Sequence, residues 1–144
     1  MTGTAERILR EFDTVAVVGL SRDPAKAAHS VPADLRRAGF RIVPVNPVVE
    51  PGSVLLGERV HRDLAEAAEH TPVPIEVVTV FRPSPEAGGI ARDAARVGAR
   101  ALWLQQDIVS AEARAVAEEA GLLYVEDDCM AVVRARLGIE KPAA

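Results

Sequence analysis

The sequence predicts an α/β fold, a three-layer sandwich around a mainly parallel five-stranded sheet, formed as one domain over residues 1–144. Three observations predict it. A helix end, a glycine and a short apolar run recur in that order: Arg36-Arg37-Ala38-Gly39 before Phe40–Val45, Ala95-Arg96-Val97-Gly98 before Ala99–Leu104, and Glu118-Glu119-Ala120-Gly121 before Leu122–Val125. Glycine past a helix end adopts the left-handed conformation without a Cβ penalty. The runs that follow are apolar without alternation, which suits strands covered on both faces. Two more runs complete the set of five: Val15–Val18, closed by Gly19, and the β-branched Ile75–Val80, closed by Phe81.

Helical stretches separate these runs. A helix over about 4–12 places Ile8, Leu9 and Phe12 on one face. A second, over about 28–38, contains Pro32, which a helix accepts in its first turn. The stretch 46–60 is the longest irregular connection, of a kind that often touches ligands. A short alanine-rich helix follows over about 61–69. The next opens with Ser84 as N-cap, Pro85 at the first helical position and Glu86 beside it, with Ile90, Ala94 and Val97 at helical spacing. A fifth helix spans about 110–120 behind Ser110 and Glu112, and a last one spans about 129–137, stopping near Gly138. Residues 139–144 read as a loose tail. Strand and helix in alternation, with short connections, specify right-handed crossovers and hence a Rossmann-like sheet.

The 144 residues suffice for a real core: a chain of this size buries about 68–70% of its unfolded surface. The single cysteine, Cys129, rules out an internal disulfide and points to a reducing, cytoplasmic setting. No apolar run approaches the ~20 residues of a membrane helix, and the charged N-terminus MTGTAERILREF is no signal peptide. A net charge of −4, no basic stripe and 3% aromatics argue against a nucleic-acid partner. The composition leaves room for an anionic small molecule, and nothing in it names a protein partner.

In open sheets of this kind, ligands bind beyond the carboxyl ends of the strands, where the strand order reverses. The segments there are Gly19-Leu20-Ser21-Arg22-Asp23-Pro24, Asn46-Pro47, Phe81-Arg82-Pro83-Ser84, Gln105-Gln106-Asp107 and Asp127-Asp128-Cys129. The first is the most informative. It sets a glycine at the strand end, then a hydroxyl and the cations Arg22 and Lys26 before a helix, whose free amide groups can hold a phosphate. An exposed helix-dipole contact contributes only about 0.3–1 kcal/mol, whereas micromolar binding requires about 8 kcal/mol. A nucleotide therefore also needs the Asn46-Pro47 and Phe81-Arg82 loops. The dinucleotide fingerprint is absent: Ser21 stands at its second glycine, and Asn46 replaces the acid that would hold a ribose. NAD is disfavoured on both counts, and no P-loop is present.

These segments, in this order, resemble the stand-alone CoA-binding proteins related to the CoA-binding domain of the succinyl-CoA synthetase alpha subunit. The resemblance is carried by Val17-Val18-Gly19-Leu20-Ser21 with Pro24, Gly39–Pro47, Val80-Phe81-Arg82, Leu102-Trp103-Leu104-Gln105, and Asp127 with Cys129, over about 14–134. It implies coenzyme A or an acyl-CoA as the ligand, bound without catalysis. The Gly19–Lys26 loop would take the diphosphate, Pro47 and Phe81-Arg82-Pro83 would flank the adenosine, and Trp103 to Gln105 would lie near the pantetheine arm. Two departures add negative charge: Asp128, where the family commonly has a basic residue, and Asp107, near a common glycine.

His29, His61 and His70 have no metal spacing and read as surface or helix histidines. Cys129 reads as a half-buried cysteine at a helix start, although a thiol exchanging with CoA is the alternative. Gly19-Leu20-Ser21 lacks the second glycine of a nucleophile elbow. Three functions compete: a non-catalytic CoA module, serving as carrier or metabolite sensor; a small enzyme, either an NAD(P)-dependent oxidoreductase or an acyltransferase using Cys129; and a ligand-free interaction protein.

Overall fold

The computed structural model describes residues 3–50 and 52–142. Its elements are α1 (Thr4–Glu11), β1 (Thr14–Val18), α2 (Ala27–Arg37), β2 (Arg41–Val45), β3 (Val54–Leu55), β4 (Glu58–Arg59), α3 (Leu64–His70), β5 (Val77–Val80), a 3-10 turn (Ser84–Glu86), α4 (Ala87–Arg96), β6 (Ala101–Leu104), α5 (Ala111–Ala120), β7 (Leu123–Val125) and α6 (Met130–Leu137). The central sheet has five strands in the order β2-β1-β5-β6-β7, every pair parallel. This is the expected α/β architecture.

Successive residues of a strand point to opposite faces, and the core divides accordingly. Val15, Val17, Ile42, Val77 and Trp103 pack with Ile8 and Leu9 of α1 and Phe12 at its C-cap, Leu35 of α2, and Met130 and Val133 of α6. Ala16, Val18, Val43, Val78 and Leu102 pack with α3, α4 and α5 through Ala67, Ala87, Ala91, Ala94, Ala113 and Ala117. The alanines bring α4 close to α5, so close that a Cβ at Gly88 would overlap Glu112. Burial pushes the Tyr124 phenol above its usual range. Its hydrogen bond to Glu126 and that carboxylate's charge act in the same direction, against Arg114. Tyr124 therefore stays a neutral donor.

Several local expectations change. The loop 46–60 contains a hairpin, β3 and β4, turned by Leu56 at φ 50° and Gly57 at φ 77°. Two positive φ angles suit the right-handed twist of a two-residue hairpin. The following helix starts at Leu64 rather than 61, because His61 is drawn into a parallel bridge with Val45 and Asp63 accepts from the Glu66 N–H at 2.8 Å as N-cap. Ser84 caps no α-helix; it opens the 3-10 turn, and its hydroxyl accepts from the Val109 N–H at 3.1 Å. The tail is docked. Ile139 is buried, and the Lys141 N–H donates to the Ala38 carbonyl at 2.7 Å while its Nζ donates to the Arg10 carbonyl at 2.9 Å. Among the described residues no helix is long and apolar enough to cross a membrane.

Pro32 lies not in the first turn of α2 but at its sixth residue. Its ring removes the N–H that would bond the Ala28 carbonyl. That carbonyl accepts instead from the Ser21 N–H at 3.1 Å, which fastens the β1–α2 loop to the helix it precedes.

Candidate functional site

The chain runs from β1 outward to β2 and returns to β5 on the other side of β1. The strand order therefore reverses between β1 and β5, and the loops after these strands diverge into a crevice.

The first wall is Gly19–Lys26. The Gly19 N–H donates to the Val45 carbonyl at 2.8 Å, and its φ of 97° lies where side chains are rarely tolerated. A Cβ there would stand 3.1 Å from Arg82 Cδ and 3.3 Å from the Phe81 carbonyl carbon. Gly19 thus lets the two loops of the crevice touch. Leu20 turns into the core. Ser21 Oγ accepts from the Asp23 N–H at 3.0 Å, and Asp23 Oδ1 accepts from the Ala25 N–H at 3.0 Å. The His29 ring donates from Nδ1 to the Ser21 carbonyl at 2.6 Å. With its backbone fixed in this way, the loop leaves Arg22 and Lys26 exposed at the amino end of α2.

The second wall is Asn46-Pro47. Asn46 is buried; its Nδ2 donates to the Leu20 carbonyl and its Oδ1 accepts from the Val48 N–H, both at 3.0 Å. Its side chain braces one loop against the next, while Pro47 stays exposed beside it. The third wall is Phe81-Arg82-Pro83. The Phe81 N–H continues the sheet to the Val18 carbonyl at 2.9 Å. Arg82 reaches Glu86 through two hydrogen bonds, Nε to Oε1 at 3.1 Å and Nη2 to Oε2 at 2.9 Å.

Pro47 and Arg82 line one groove of about 190 Å³, floored by Val18, Val45 and Ile90 and rimmed by Arg62, Asp63, Glu86 and Asp93. The apolar floor suits a planar ring, and the rim sets the cations Arg62 and Arg82 among three carboxylates. Beyond Pro47, on the far side of residues 61–66, opens a wider groove of about 710 Å³. His61 stands in its wall. It is buried rather than at the surface; its Nδ1 has no hydrogen-bond partner among the described residues and lies 3.5 Å from Glu66 Oε1, and its ring stacks on His70 at 5.7 Å. The sequence carried no sign of this, because its burial comes from the bridge to Val45 and not from its own helix. The groove-lining roles of Arg62 and Glu86 also went unread.

Gly19 is thus joined to Phe81 and Arg82, and Asn46 to the loop that Ser21 braces and that carries Arg22 and Lys26, while Pro47 and Arg82 share one groove. Trp103 and Gln105 do not face it. Trp103 is fully buried, and its Nε1 donates to the Asp128 carbonyl at 2.9 Å. Gln105 is buried with both ends of its amide engaged: Nε2 donates to Thr79 Oγ1 at 2.5 Å, and Oε1 accepts from the Met130 N–H at 3.1 Å. Both side chains support the sheet, because their partners lie on β5 and at the start of α6. Beside them Asp107 takes φ 70°, and its N–H donates to Asp127 Oδ1 at 2.7 Å. That left-handed turn is one a glycine would adopt without strain. Cys129 is half-buried at the N-cap of α6, packed against the core. Among the described residues no three His, Cys, Asp or Glu side chains gather to hold a metal.

Comparison with known proteins agrees with this fold. The family described as CoA binding domain matches residues 13–135. The uncharacterized protein YneT of Bacillus subtilis is 34% identical over 130 residues, 90% of this chain and 91% of that protein. A solved structure from Thermus thermophilus, cell-free ID.343, is 32% identical, with a TM-score of 0.84 over 94% of this chain and 99% of that one. The dinucleotide-forming acetyl-coenzyme A synthetase 1 of Ca. Korarchaeum cryptofilum shares the fold, with a TM-score of 0.64 at 19% identity; 83% of this chain matches 28% of that one. The chain belongs to the CoA-binding domain family.

Proposed function

We propose that this member of the family binds coenzyme A or an acyl-CoA through the ADP moiety, without catalysis, as a carrier or metabolite-sensing module of the cytoplasm. The observation that supports the reading is the close approach of Gly19 to Phe81-Arg82 at the point of strand reversal, which brings the loop bearing Arg22 and Lys26 against the loop bearing Arg82. In this reading the amino end of α2, with Arg22 and Lys26, takes the diphosphate. Pro47 and Arg82 flank the adenosine over the apolar floor of Val18, Val45 and Ile90. Charge-assisted hydrogen bonds of about 1.5–3 kcal/mol each, added to the helix dipole, bring a phosphate-bearing ligand to the micromolar range.

The non-catalytic part of the reading is supported by the state of the nearest hydroxyl and imidazole. Ser21 and His29 meet through the Ser21 carbonyl, so the ring does not activate Oγ as a base would. Calorimetric titration of CoA, acetyl-CoA, NAD and ATP tests the whole. Micromolar binding of the CoA species with NAD and ATP silent is the expected result. Silence from all four would leave a scaffold, and a preference for NAD would make the protein a candidate oxidoreductase.

A further inference from the structure

We infer that Glu86 is a specificity-determining residue of this site: its carboxylate occupies the Arg82 guanidinium until a phosphate on the adenosine side of the ligand, apart from the diphosphate at α2, replaces it. The inference rests on the ligand reading above and adds a rule for which ligands are admitted. Arg82 and Glu86 line the same groove as Pro47. The two hydrogen bonds between them, at 3.1 and 2.9 Å, form the paired fork that a guanidinium also makes with two phosphate oxygens. The stem of Arg82 runs along the glycine edge of the first loop, its Cδ 3.1 Å from where a Cβ of Gly19 would be.

Glu86 has no other engagement among the described residues. It is the N-cap of α4 but makes no side-chain capping hydrogen bond. The neighbouring acids of the groove are committed: Asp93 pairs with Arg96 at 2.8 Å, and Asp63 caps α3. Glu86 therefore competes with the ligand for Arg82, which with Arg62 supplies the cations of the groove. A phosphate brings more charge and more oxygens than a carboxylate and displaces it. A weak, singly charged ligand does not. The displaced carboxylate remains beside the amino end of α4, whose partial positive charge favours it there.

The test is Glu86→Gln, which keeps the size of the side chain and removes its charge, titrated with CoA and with inorganic pyrophosphate. The expected result is tighter binding of both probes, by about two- to fivefold, the effect that an exposed ion pair carries. The gain should vanish when Arg82→Ala is added. CoA binding that is unchanged or weaker in Glu86→Gln overturns the inference while leaving the ligand assignment intact, as does a gain that persists without Arg82. If CoA fails to bind wild type and every variant, the ligand assignment falls. Pyrophosphate then decides: tightening in Glu86→Gln upholds the competition, and no binding by any variant overturns it as well.

Discussion

The carboxyl edge of the sheet has two ends built from similar residues and left in opposite states. At the β1/β5 end the side-chain braces, Asn46 and Ser21, tie backbone to backbone and leave Arg22 and Lys26 facing solvent. At the β6/β7 end the polar groups are spent on each other: Thr79, Gln105 and Met130 form one chain of hydrogen bonds, Trp103 bonds Asp128, and Asp107 bonds Asp127. The difference teaches where function can reside. A buried polar network is costly to disturb and specifies one arrangement, whereas a braced loop with free cations can accept a ligand at little structural cost.

Substitutions at the closed end should reduce stability most. Trp103→Ala removes the largest fully buried side chain and is expected to cost about 3–5 kcal/mol in denaturant unfolding. Next comes Gln105→Ala, which strands the Met130 N–H and one partner of Thr79; the loss should be about 1–3 kcal/mol. If either variant kept full stability yet lost CoA binding, the closed end would belong to the ligand site and the comparison would break.

Asn46→Ala sits between the two regimes. It should cost about 1–3 kcal/mol and also weaken CoA, because the bridge from Leu20 to Val48 sets the spacing of two walls. The smallest stability effect belongs to Arg22→Ala with Lys26→Ala, within about 0.5 kcal/mol of wild type in the same unfolding assay. Calorimetry on that double variant should nevertheless show CoA affinity reduced by about tenfold or more. A stability loss with unchanged affinity would reverse the assignment of the two ends.

Legibility from sequence follows the same division. The open end was readable, since Gly19, Arg22, Lys26, Asn46-Pro47 and Phe81-Arg82 each follow a strand and so must emerge at one edge. What those side chains do there was not. Asn46 and Gln105 are both short amides at strand ends, yet one braces the crevice and the other is sealed beneath α6. Only the partner elements, distant in sequence, separate them. The same holds for His61, buried by a bridge to Val45, and for Glu86, whose importance depends on the direction in which Arg82 turns.

By itself the sequence determined the fold class, the five strands in their order along the chain, and the ends of most helices. Each of these is written within a few residues: apolar runs, Gly98 and Gly121 past helix ends, Ser110 accepting from the Ala113 N–H. The tertiary structure alone decided the place of β5 beside β1, the docking of Lys141 on Ala38, and the use of Pro32 to free a carbonyl for Ser21. Those depend on groups brought together across the chain, where a hydrogen bond or a packed face is set by the partner's position and not by the residue's own neighbours.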